Sequence, residues 1–142
     1  MNRLLNEIHY DPNSGKIDHS GAEEIALLYI DLAVYMKKNG RDSIESWLHS
    51  TERPVLIREA LEGVYLGITS DEIRERHQTE IRDSGLFGTE LLETIVAAEG
   101  AALIADNETP TFIFEYIASL FGEEYFDIFK DNLKKLFSTW SR

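Results

Sequence analysis

Apolar residues recur at helical spacing along most of this chain, and no stretch alternates with period two for long enough to make a strand. Ile25, Leu28, Tyr29, Leu32, Tyr35 and Met36 mark the inner stripe of a first helix. That helix should stop at Asn39-Gly40, where Gly40 offers a left-handed cap. Ile44, Trp47 and Leu48 predict a short second helix over Ser43–His49. Pro54 suits the first turn of a third, which runs to about Leu66 and breaks at Gly67. Thr69 and Glu72 have the spacing of a capping box ahead of a fourth helix that packs through Ile73, His77 and Ile81. A fifth spans about Thr89 to Ala105. Thr109-Pro110 opens a sixth to about Phe121, and a last runs from Glu123 to Trp140.

The expected fold is therefore all-α: one domain over 21–142, a bundle-like, partly orthogonal array of six to seven helices. Residues 1–20, with the turn cluster Asp11-Pro12-Asn13-Ser14-Gly15, are expected to be irregular. One internal echo stands out. Leu61-Glu62-Gly63 leads to the capped start at Thr69, and Ala98-Glu99-Gly100 leads to the capped start at Thr109.

The order of these pieces resembles the cytoplasmic loop of ion-driven flagellar stator subunits, the MotA/PomA family. The likeness runs through Leu32-Ala33, Lys37, Gly40, Ile44-Glu45, the Val55–Leu66 helix, Gly67, Thr69–Ile73 and Glu80-Ile81. Glu99-Gly100, Asn107-Glu108-Thr109-Pro110 and the helix from Phe112 to Leu120 resemble that family's second cytoplasmic piece. The resemblance implies that Lys37 and Glu45 contact complementary charges on the rotor's switch protein. It does not carry the pore or ion path, because the longest apolar run, Ile25 to Ile30, is far shorter than the ~20 residues a bilayer span needs. Lys37 stands where the family more often has Arg, which removes a bidentate fork.

Composition narrows the partners. The 142 residues carry a net charge of −12, and half of it lies in the middle third, 54–105. Such a field repels nucleic acid and anionic lipid and steers basic partners inward. Leu66–Ile73 has the look of a helix-turn-helix turn, but the following Asp83–Glu90 is poor in the basic side chains that a recognition helix needs. The absence of cysteine excludes disulfides and thiolate metal sites, and the first residues do not form a signal peptide, so a cytoplasmic protein is expected.

Catalytic and cofactor patterns fail one by one. Ser14-Gly15-Lys16 lacks the earlier glycine of a phosphate loop, since position 10 is Tyr. Asp11, Asn13 and Gly15 put the glycine one place too early for a calcium loop. His77 has Arg at position 74, so a Glu-x-x-His pair fails there. No metal or cofactor is expected. Glu99 is the one carboxylate of chemical interest, because it shares a stripe with Leu92, Val96 and Leu103. Such surroundings can make a general acid or base, or bury a partner for Arg58 or Lys37.

Nine of the fifteen aromatics fall in 112–142, more than one face of two helices can hide. Phe114 and Trp140 are the candidates for a surplus docking patch or a homo-oligomer interface, with core packing the alternative. The sequence is thus read as a non-enzymatic protein-interaction module with Lys37, Glu45, Phe114 and Trp140 as contact residues. An acidic antagonist of a basic partner (an immunity protein or nucleic-acid mimic) is the alternative. A small helical enzyme using Glu99 comes third.

Overall fold

A computed structural model describes residues 17–122, 127–132 and 134. The fold is all-α, with no strand among the described residues. Helix α1 spans Ser20–Asn39, and a 3-10 turn at Arg41–Ser43 leads into the short α2, Ile44–Ser50. Then come α3 (Val55–Tyr65), α4 (Ser70–Ser84), α5 (Gly88–Ala105) and α6 (Pro110–Ser119). Further helix follows at 127–132 and 134. Most of the irregular segment expected at 1–20, and the two ends of the last expected helix, lie outside the described residues.

Helix α5 is the axis of the molecule. From Leu91 to Ile104 it is buried on every side except at Glu93, and a helix so rich in apolar residues is stable only when enclosed in this way. Helices α1, α3, α4 and α6 all pack on it. Its small residues set how closely they approach. Gly100 lies under the ring of Tyr29 on α1, with no room for a methyl group. One turn away, the Tyr29 hydroxyl donates to the carbonyl of Ala97 at 2.6 Å. Burial with no compensating charge pushes the Tyr29 phenol up from its ordinary pKa.

The caps explain the boundaries. Thr69 Oγ1 accepts from the Glu72 amide, and Thr109 Oγ1 accepts from the Phe112 amide. Pro110 occupies the first turn of α6, whereas Pro54 stands just before α3 in an extended conformation, one place earlier than expected. Gly40 ends α1 with φ 90° and ψ 166°. That backbone needs glycine, but the chain leaves extended instead of in the left-handed helical cap expected there. The left-handed helical cap is found at Gly85 instead.

The internal echo becomes a repeated turn. At the end of α3, the Ile68 amide donates to the Gly63 carbonyl at 2.9 Å; at the end of α5, the Glu108 amide donates to the Leu103 carbonyl at 3.1 Å. Gly67 and Asn107 both have positive φ. Each turn then reaches a threonine cap two residues later. The two turns coincide at a fixed offset of 40 residues, whereas the two Glu-Gly pairs do not. Glu62 is exposed and Glu99 buried, so only the turn and cap recur.

Among the described C-terminal aromatics, Phe114, Tyr116, Phe121 and Phe129 enter the core and Phe112 stays partly exposed. Phe121 and Phe129 stack with centroids 4.0 Å apart, and both are buried. Asn132 reaches Glu23 on α1, and Lys130 pairs with Glu115 on α6 at 3.5 Å. No described helix is long and apolar enough to cross a membrane.

Candidate functional site

Two places gather polar chemistry, one inside and one outside. The inner one joins α4, α5 and α6. Arg74 Nε donates to Glu99 Oε2 at 2.9 Å, and the Tyr116 hydroxyl donates to the same oxygen at 3.1 Å. The Glu99 side chain is fully buried, and that of Arg74 is 4% exposed. The partner expected for Glu99, Arg58 or Lys37, is thereby corrected: both of those are exposed, and Arg74 takes the place. The Glu99 carboxylate is closed off from solvent. Its chemistry here is to hold three helices in register through two charge-assisted hydrogen bonds.

Arg74 does not stand out in the sequence, because the apolar stripe of α4 passes through Ile73, His77 and Ile81 and a charged residue beside it carries no apolar signal. The inward arc of that helix is wider, and Arg74 and Gln78 lie on it. Helix α4 offers Ile73 and Ile81 as its buried apolar residues, so much of its inner face is polar. His77 is nearly buried on this arc. Desolvation holds its pKa below the ordinary value, opposed by Glu80 and Glu59 and reinforced by Arg76.

The outer place surrounds Arg41. Arg41 donates to the carbonyls of Ile104 and Ala105 at 3.4 and 3.0 Å, closing the C-terminal end of α5. A cleft of about 350 Å³ opens on one side of it, between the end of α1 and the α5–α6 turn, with Lys37 at its rim. A second, about 320 Å³, opens on the other side, between α2 and the end of α3, with Glu45 at its rim. Both clefts include Arg41. Lys37 and Glu45 are exposed. Tyr65 lines the second cleft at 44% exposure, and Leu66 beside it is 65% exposed.

The remaining expected contact residues lie elsewhere. Phe114 is 7% exposed and belongs to the core; its neighbour Phe112 is the partly exposed ring. Trp140 lies outside the described residues. No group of three or more His, Asp or Glu side chains suited to a metal ion occurs among the described residues. Compared with protein families, curated proteins and solved structures, the chain matches none.

Proposed function

We propose that this chain is a non-enzymatic protein-interaction module, and that the face centred on Arg41 is its contact surface. One observation carries the reading. Lys37 and Glu45, the two residues that the stator resemblance assigns to partner contact, both stand exposed at clefts that share Arg41. Exposed Tyr65 adds the kind of side chain that anchors interfaces, and Arg41 is already held in position by two carbonyls. In this reading the module works in the cytoplasm against a rotor-like protein, and its charges govern encounter and register more than affinity.

The test is charge reversal. The double variant Lys37→Glu, Glu45→Lys, placed in the chromosome, is expected to reduce swimming and binding to the purified rotor switch protein. Unchanged swimming together with unchanged binding would reject the reading.

A second reading, an acidic antagonist of a basic partner, rests on the net charge of −12 and on Glu72 and Glu75, which line one exposed cleft on α4. Arg76 lines the same cleft and weakens that acidity. Binding of a basic nuclease with steep salt dependence would favour this reading over the first.

A further inference from the structure

We propose that the cleft between the end of α1 and the α5–α6 turn receives a segment of a partner protein in which a carboxylate side chain stands next to an apolar one. The inference rests on the reading of the Arg41 face as a contact surface and adds the chemistry of what docks there.

Charge is the first argument. The molecule carries −12 overall, yet Leu32 to Arg41 contains three basic residues and no acidic one. At the cleft, Lys37 and Arg41 stand against a single carboxylate, Glu108. Neither cation is ion-paired among the described residues. The N-terminal end of α6, capped by Thr109, adds a partial positive charge to the same rim, set against the partial negative charge of the C-terminal ends of α1 and α5, so the site's net positive charge rests on Lys37 and Arg41. A local positive site on an acidic body selects a local acid on the partner, while the surrounding field still rejects polyanions such as nucleic acid.

The floor supplies the second argument. Ala33, Met36 and Ile104 line the cleft with apolar surface, and methionine adapts its shape to varied side chains. An acid alone would leave that surface wet. A volume of about 350 Å³ accommodates one or two side chains, at the small end of the range for ligand sites. The third argument is preorganisation. Arg41 is fixed by its bonds to the last carbonyls of α5, so its remaining donors meet a carboxylate with little further loss of side-chain freedom.

The experiment is an amide-shift NMR titration of the full chain with three blocked tripeptides, acetyl-Ile-Glu-Ile-amide, its Gln counterpart and its Lys counterpart, with sodium acetate as a control. The Glu peptide is expected to shift the amides of Lys37, Arg41 and Asn107 with millimolar affinity. The Gln and Lys peptides should bind about three- to fivefold more weakly or not at all, as loss of a surface charge contact requires. The Lys37→Glu variant, with an unchanged circular-dichroism spectrum, should lose the response. Equal responses to all three peptides, the same shifts from acetate at equal concentration, or no shift would each overturn the proposal. Failure of the rotor-binding test with the peptide response intact would end the motility reading and leave this cleft standing.

Discussion

Arg74 on α4 and Glu99 on α5 form a buried ion pair, 2.9 Å from Nε to Oε2, that ties a largely polar helix to the most enclosed one. Helix α4 brings few buried apolar side chains to this contact, so the pair carries much of the docking specificity. Removing one partner strands a charge in the core, at a cost of about 3–5 kcal/mol. Glu99→Leu and Arg74→Met should therefore each lower stability by that amount in urea unfolding. The double variant should recover most of the loss, because well-packed apolar groups replace a buried pair at little net cost. Additive losses would refute the coupling.

Tyr29 and Gly100 make a second close contact across the core. A Cβ at position 100 would overlap the Tyr29 ring, and both backbones belong to long packed helices that cannot separate easily. Gly100→Ala should cost about 1–3 kcal/mol despite its better helix propensity, since overpacking outweighs a propensity gain of about 1 kcal/mol. Combining it with Tyr29→Leu, which removes the obstructing ring, should make the added methyl group less harmful than it is beside Tyr29. Thermal unfolding of the single and double variants measures both.

The all-α fold, the glycine breaks and the two threonine caps were legible in the sequence because local rules determine them, whereas the form of the Gly40 cap and the exact place of Pro54 were not. Thr69, Thr109, Pro110 and Gly67 act within a few residues of their own position. One side of α5 was legible in the stripe of Leu92, Val96 and Leu103; that its other sides are covered as well was not. The partner of Glu99 was not, because a buried cation on a polar helix breaks the apolar pattern by which inner faces are recognised. Phe114 was misplaced for the opposite reason: an aromatic surplus shows that some rings must be exposed but not which, and Phe112 is the one further out. Lys37 and Glu45 could be named singly from the stator likeness, but their shared neighbour Arg41 appears only when the end of α5 folds back to it.

His77 should give the protein a weakness toward mild acid. Desolvation depresses its folded pKa below the ordinary histidine value of 6.5, and the opposing Glu80 and Glu59 do not reverse this. The folded state therefore holds fewer protons than the unfolded one. Its stabilising contribution is complete above pH 6.5 and is lost as pH falls through the depressed value. Chemical denaturation of wild type and His77→Gln over this range should converge as pH drops. Parallel curves would show that His77 titrates alike in both states.

Glu93 should behave with the opposite sign. Its carboxyl is raised by partial burial first, then by Asp18, Glu90 and Glu24. The charged form is thus penalised in the folded state, and Glu93→Gln should raise the melting temperature at neutral pH. That gain should shrink as pH falls toward the ordinary value of 4.5, where wild-type Glu93 takes up its proton. A gain of the same size at pH 4 and pH 7 would point to packing against Gly21 instead of charge.

Contact and stability should separate cleanly on the Arg41 face. Lys37 and Glu45 are exposed and take part in no ion pair among the described residues, so Lys37→Glu and Glu45→Lys should each change stability by no more than about 0.5 kcal/mol. Arg41→Gln should cost more, because it removes the charged cap from the Ile104 and Ala105 carbonyls at the end of α5. Binding should rank them differently. The two reversals should slow association and flatten its salt dependence, the signature of charges that steer an encounter. Tyr65→Ala should mainly speed dissociation, as loss of a half-exposed aromatic anchor does. Surface plasmon resonance at two ionic strengths, read beside the unfolding curves, distinguishes the two effects, and a loss of binding that merely tracked a loss of stability would remove the face from consideration.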